Sequence, residues 1–202
     1  MKLYFSPGAC SLAVRIALTE AGLPFAADKV DLRTHRLADG TDYYAINPKG
    51  YVPLLELDDG QRLTEGPAIL QYIGDQVPDQ KLVAPWGSME RYRQMEWLNF
   101  IATELHKGMS PLYKVLAGDD FKKNIREVVI PHRLSTLAAA VKPYLMGAQF
   151  SVADAYAFYV LRSWIHHQKQ TLDAWPTLVE YYQRLAQRPS VQKALAEEGI
   201  TA

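Results

Sequence analysis

A single cysteine, Cys10, stands among the 202 residues of the chain. It follows Ser6-Pro7-Gly8-Ala9 and directly precedes a helix-forming run. The unpaired N–H groups and partial positive charge at a helix start favour thiolate over thiol. A thiolate there attacks an electrophile or forms a mixed disulfide; the alternative is a small buried apolar residue. Ser11 offers a hydroxyl that can donate to a bound thiolate, against the plain role of an N-cap. Val52-Pro53 opens a strand just after a glycine turn. Proline gives a ladder no donor. A cis bond would turn the Val52 N–H and C=O outward as an unused strand edge for an extended peptide; a trans bond would make an ordinary edge-strand proline. In Thr64-Glu65-Gly66-Pro67, proline at the first helical position puts Gly66 at the N-cap, leaving N–H groups open to a carboxylate. Glu65 beside them can pair with a ligand ammonium, or be only an acid at a helix start.

Further along, Asn99, Thr103 and His106 are spaced four and three apart. On an α-helix they fall within about 60° of one another, with Lys107 adjacent. The stripe is a solvated face or a cleft wall. A histidine and a lysine near a thiolate stabilise its charge, and a neutral histidine can move a proton. His166-His167 has no matching cysteine or carboxylate array, so no metal site is expected. No phosphate-binding glycine loop, nucleotide fingerprint or Ser-His-Asp hydrolase elbow occurs.

The elements that must position these groups change character along the chain. Lys2 to Phe5 reads as a strand, Leu12 to Ala21 as a helix stopped by Gly22 and Pro24, and Phe25 to Leu32 as a second strand. Residues 33–46 read as a loop with a short helix, and Asn47 to Gly50 as a turn. Val52 to Leu57, the Asp58-Asp59-Gly60 turn and Arg62 to Thr64 form a hairpin, and Gly66 opens a helix to about Val77. From Ser88 every segment reads as helix: Ser88 to Leu116 with a kink at Ser110-Pro111, Phe121 to about Leu145, a capping box at Ser151 and Asp154 leading a helix through Trp164, then Pro176 to Gln187 and Ser190 to Glu198. The expected architecture is therefore an α/β domain over 1–78, a linker over 79–86, and an all-helical domain over 87–202.

Composition excludes several functions. Lysine plus arginine and aspartate plus glutamate both number 22, so the formal charge is zero and no basic run marks a nucleic-acid or anionic-membrane surface. No stretch approaches the roughly 20 apolar residues of a membrane span. The opening MKLYFSPGACS lacks the apolar run of a signal peptide, and one cysteine allows no intrachain disulfide; a cytoplasmic protein is expected.

These pieces together resemble a known arrangement. Asn47-Pro48-Lys49-Gly50-Tyr51-Val52-Pro53-Leu54-Leu55, followed by Leu63-Thr64-Glu65-Gly66-Pro67-Ala68-Ile69, is similar to the glutathione-binding half of the glutathione transferase superfamily. MKLYFSPGACSL with Cys10, Glu96-Trp97-Leu98-Asn99-Phe100 and Glu104-Leu105-His106-Lys107 resemble its bacterial beta class. Phe150-Ser151-Val152-Ala153-Asp154-Ala155-Tyr156 is similar to the family's capping box in the helical domain. The likeness runs in order over nearly the whole chain.

The resemblance implies a thioredoxin-like N-terminal domain, an all-helical C-terminal domain, a homodimer, and glutathione as co-substrate along the cleft between domains. It implies that Val52 pairs with the cysteinyl backbone, with Pro53 cis, and that Glu65 and Gly66 hold the γ-glutamyl end. Cys10 would lie beside the glutathione sulfur. His106 and Lys107 would approach from the helical domain, with Asn99, Thr103 and Glu104 nearby. Met109, Tyr113, Trp164 and His167 would line the pocket for small hydrophobic electrophiles.

Two positions depart from common patterns. The place of a catalytic tyrosine in other classes holds Phe5, and Tyr4 alternates to the other face. His35 stands where beta-class relatives often carry lysine near the glycyl carboxylate, so glutathione binding is expected to weaken as pH rises. The implied activity is conjugation of the glutathione thiolate to electrophiles, a detoxifying reaction, helped by Cys10, Ser11 and His106. Cys10-dependent thiol transfer or reductive dehalogenation is the alternative reaction. A non-enzymatic ligand-binding or protein-interaction module is the alternative of another class.

Overall fold

A computed structural model describes all 202 residues. They form two compact units: Met1–Leu82 together with Gln187–Ala202, and Val83–Ala186.

The first unit is built on a five-stranded mixed sheet of order β3-β2-β1-β4-β5. Its strands are β1 (Lys2–Phe5), β2 (Ala26–Asp31), β3 (Arg36–Leu37), β4 (Leu54–Glu56) and β5 (Arg62–Thr64). β1 runs parallel to β2, with Tyr4 opposite Asp28, and antiparallel to β4, with Tyr4 opposite Leu54. The parallel pair needs a crossover, and α1 (Ser11–Glu20) supplies it. Alternation along β1 sends Tyr4 into a cluster with Val30, Tyr43, Val52 and Leu54. Leu12, Val14, Ile16 and Leu18 of α1 are wholly buried, each worth about 1.5–3 kcal/mol of apolar transfer. α1 packs against α2 (Gly66–Asp75) and α9 (Pro189–Glu198).

The last helix packs in one compact unit with the sheet, as part of residues 187–202. Buried charges fix α9 there: Arg15 Nε lies 3.1 Å from Glu198 Oε1, and its guanidinium stands 4.2 Å above the Phe5 ring centre. Arg188 and Ser190 both bind Glu20, at the far end of α1.

The second unit is helical: α3 (Met89–Phe100), α4 (Lys107–Met109), α5 (Asp119–Asn124), α6 (Ile130–Ala140), α7 (Val152–Arg162) and α8 (Pro176–Ala186). Three wide π-type turns interrupt it, at Ile101–His106, Ile125–Val129 and Ser163–His167. The long helix expected from Ser88 thus changes pitch at Ile101, ahead of the Ser110-Pro111 kink. The second expected long helix ends at Ala140 and not near Leu145. The Ser151–Asp154 capping box is formed, and buried Asp154 also accepts bonds from the Leu145 N–H and the Tyr181 hydroxyl. No helix is long and apolar enough to cross a membrane.

Candidate active site

In the first unit the turn after β1 delivers Cys10 to the start of α1. Gly8 takes a positive φ of 71°, which glycine adopts freely, and its N–H donates to buried Glu198 (2.9 Å). Cys10 occupies the N-cap, partly exposed, and its thiol donates to the Val52 carbonyl at 3.2 Å. The Val52–Pro53 bond is cis. The Val52 N–H has no partner, but its carbonyl, expected to be an unused edge, is taken by the thiol.

Ser11 differs from expectation. It is wholly buried, and its hydroxyl sits between the Ser6 N–H (3.2 Å) and the Ser6 carbonyl (3.3 Å). It therefore closes the 6–11 turn and presents no hydroxyl to a ligand.

The Asn47–Gly50 turn places the neighbouring groups. Buried Asn47 donates to the Tyr51 carbonyl (2.7 Å), as does the Tyr43 hydroxyl (2.9 Å). Gly50 has φ 68°, and a Cβ there would stand 2.5 Å from Tyr44 Cε1, so the turn needs glycine twice over. The ring of His35 lies 4.5 Å from that of Tyr44, and its Nδ1–H donates to the Gly50 carbonyl (3.1 Å). This arrangement leaves Nε2 as the ring atom able to meet a ligand.

Glu65, and not Gly66, is the N-cap of α2, which puts Pro67 second in the helix. Its φ of 71° is a costly conformation for a side-chain-bearing residue, about 1–3 kcal/mol. The Glu65 carbonyl accepts the N–H groups of Ala68 and Ile69, which anchors the kink. Its exposed carboxylate pairs with Lys49 Nζ at 2.9 Å, and Lys49 also donates to Thr64 Oγ1 at 3.0 Å. Lys49 was absent from the sequence candidates; its opposite charge, one turn from a strand that leads into Glu65, was the available signal.

In the second unit the expected Asn99, Thr103, His106 stripe is split. The 60° estimate assumed 3.6 residues per turn, and the wide turn at Ile101–His106 breaks that spacing. Asn99, Thr103 and Lys107 are exposed, with the Thr103 hydroxyl donating back to the Asn99 carbonyl (3.0 Å). His106 is instead half-buried, sharing a 2.8 Å hydrogen bond with the Tyr156 hydroxyl and meeting Tyr159 edge-on at 5.1 Å. Burial, then the charge of Lys107, pushes the His106 imidazole down to about 4. Near neutral pH it is an uncharged ring, the form that can move a proton. Glu104 is engaged by Arg133 of α6, both through its carboxylate (2.7 Å) and its carbonyl (2.6 Å).

Among the expected electrophile-pocket residues, Tyr113 and His167 meet through Ser163. The Tyr113 hydroxyl is 2.9 Å from Ser163 Oγ, which is 3.3 Å from His167 Nδ1. Ser163 was missed, since a serine inside an apolar helix carries no distinguishing pattern. Burial and the neighbouring cations Arg162, His166 and Lys169 push His167 down. Trp164 is buried with its indole N–H on the Thr171 carbonyl (3.1 Å), and Met109 is buried.

Comparison with known proteins decides what this arrangement is. Residues 7–76 match the N-terminal domain model of glutathione S-transferases, and residues 104–198 match the C-terminal domain model. The chain belongs to the glutathione S-transferase family, in its bacterial beta class. It is 48% identical to glutathione S-transferase GstA of Escherichia coli O157:H7, over 99% of this chain and all of that one. The bacterial beta class glutathione S-transferase of Sphingomonas chungbukensis has 45% identity and a TM-score of 0.93, with both chains covered fully. A sphingomonad glutathione S-transferase complexed with glutathione has 42% identity and a TM-score of 0.93, again over both whole chains. The transferase thus has a thioredoxin-like N-terminal domain followed by a helical C-terminal domain. It is an enzyme, and the non-enzymatic module is set aside.

Proposed function

We propose that the transferase binds glutathione on its first unit and transfers its thiolate to small hydrophobic electrophiles. The observation that carries this reading is the Cys10 thiol on the Val52 carbonyl at 3.2 Å, beside an unpartnered Val52 N–H. An extended cysteinyl backbone pairing with Val52 sets its own sulfur near Cys10 and the start of α1. There the helix dipole favours a thiolate, by about 0.3–1 kcal/mol. Glu65 takes the γ-glutamyl ammonium, and His35 with a proton on both ring nitrogens donates its Nε2–H to the glycyl carboxylate. In the reaction the glutathione sulfur forms a C–S bond to the electrophilic carbon. With an aryl chloride the C–Cl bond breaks, chloride leaves with the electron pair, and the thiol proton passes to solvent. Orientation supplies much of the gain, because free glutathione already attacks such carbons. Met109, Tyr113, Trp164 and His167 of the second unit are assigned to the electrophile; Asn99, Thr103 and Lys107 remain candidate glutathione contacts. The same reading makes the protein a cytoplasmic homodimer that holds no metal.

The position of Cys10 also favours a second reaction, thiol transfer. The Cys10 thiolate attacks the glutathione sulfur of a mixed disulfide; the S–S bond breaks and the other thiol leaves, taking up a proton. A second glutathione then attacks that sulfur, releasing glutathione disulfide and restoring Cys10. Wild type and Cys10→Ala assayed side by side separate the two. Conjugation of glutathione to chlorodinitrobenzene is expected to survive in Cys10→Ala, with mixed-disulfide reduction abolished. Loss of both reactions with glutathione binding intact would make the Cys10 sulfur the seat of conjugation as well.

A further inference from the structure

We propose that Lys49 and Glu65 form a receptor for an α-amino-acid zwitterion, and that Lys49 selects thiols bearing the free carboxylate of a γ-glutamyl group. This rests on the reading of the first unit as a glutathione site. The Lys49 ammonium has three N–H donors. One is given to Glu65 Oε1 (2.9 Å) and one to Thr64 Oγ1 (3.0 Å), which leaves one open. Glu65 accepts Lys49 through Oε1 alone, which leaves Oε2 open. A cationic donor and an anionic acceptor therefore stand side by side, Lys49 with one N–H and Glu65 with a whole oxygen unfilled. Both side chains are accessible, at 52% and 67% exposure. An α-amino acid end group has the complementary pair, an ammonium and a carboxylate on one carbon.

The local backbone holds this arrangement in place. Glu65 is fixed at φ 71° by its carbonyl bonds to Ala68 and Ile69. Lys49 is carried by the turn that Asn47 closes, its own N–H donating to Asn47 Oδ1 (3.2 Å). An isolated surface ion pair contributes little to stability, and its side chains are free to exchange partners. Here the pair keeps Lys49 within reach of the carboxylate while Glu65 takes the ammonium. Lys49 is thus a specificity-determining residue that works with Glu65, not a competitor for it.

The test compares three tripeptides by calorimetry on wild type, Lys49→Met and Lys49→Arg. The probes are glutathione, 4-aminobutyryl-cysteinyl-glycine, which lacks the α-carboxylate, and glutaryl-cysteinyl-glycine, which lacks the ammonium. Lys49→Met is expected to bind glutathione about tenfold more weakly, the scale of one charge-assisted hydrogen bond at a part-exposed site. Its affinity for the aminobutyryl peptide is expected to match wild type, and Lys49→Arg to recover most of the glutathione affinity. Unchanged or tighter glutathione binding by Lys49→Met would make Lys49 a bystander or a competitor and overturn the proposal. Equal weakening for glutathione and the aminobutyryl peptide would overturn it too, by reducing Lys49 to a support for the turn. A wild type that binds no glutathione would remove the parent reading and this one together, a result distinct from either.

Discussion

Two candidate side chains, one in each unit, do work other than the one their types suggest. The Ser11 hydroxyl, buried between the Ser6 N–H and carbonyl, holds the turn that carries Cys10. Ser11→Ala leaves both Ser6 groups without that partner. It is expected to cost about 1–3 kcal/mol in urea unfolding while conjugation per folded molecule persists. His106 is the second case. Its folded value of about 4 lies below the ordinary histidine value of about 6.5. As pH falls below 6.5 the unfolded chain takes up the proton first, so stability is lost through that range and the loss levels off below 4. Between pH 7 and pH 5 this amounts to about 2 kcal/mol. Unfolding free energies of wild type and His106→Asn at both pH values check it: the variant is expected to lose about 2 kcal/mol less than wild type. At this scale the sequence revealed residue types and order. Cys10, Val52, Glu65 and His106 were all visible as candidates. What stayed hidden was the partner of each: Ser6 for Ser11, Tyr156 for His106, Lys49 for Glu65. Those pairings span five to fifty positions and depend on tertiary placement that no local pattern encodes.

At the scale of elements, the start of α1 depends on the far end of the chain. Glu198 of α9 accepts the Gly8 N–H and pairs with Arg15, and the side chains of both acid and base are almost wholly buried. Removing one member of a buried pair strands the other charge. Glu198→Ala is expected to destabilise the protein by about 3–5 kcal/mol, measured by chemical unfolding, since Arg15 then faces the interior with only Glu197 at its edge. The helix itself was legible over 190–198 from its apolar spacing, but such spacing says only that one face is buried, not against which core. Its packing against α1 is a tertiary contact that chain order does not reveal. The wide turns at Ile101, Ile125 and Ser163 were equally silent, because their residues are ordinary helix formers and tertiary packing selects the looser pitch. Four of the five strands, the hairpin turn at Asp58 to Gly60 and the capping box at Ser151 were readable because each rests on local stereochemistry, whereas β3 lies in a stretch that reads as loop.

For the whole molecule, the order of segments carried most of the information. An α/β domain followed by an all-helical one was legible from alternation and helical spacing, the thioredoxin-like fold came from the family resemblance, and the mixed sheet order came from the structure. Membership of the glutathione S-transferase family rests on matches covering both domains. The electrophile was never legible, since apolar pocket walls on one fold serve many substrates. Catalysed transfer of glutathione is read from the rate of its conjugation to chlorodinitrobenzene as glutathione is raised. Glutathione binding at Val52 and Glu65 predicts a rate above that of free glutathione that saturates with glutathione and falls when Glu65→Ala removes the ammonium partner. A rate equal to the uncatalysed one at every glutathione concentration would contradict it.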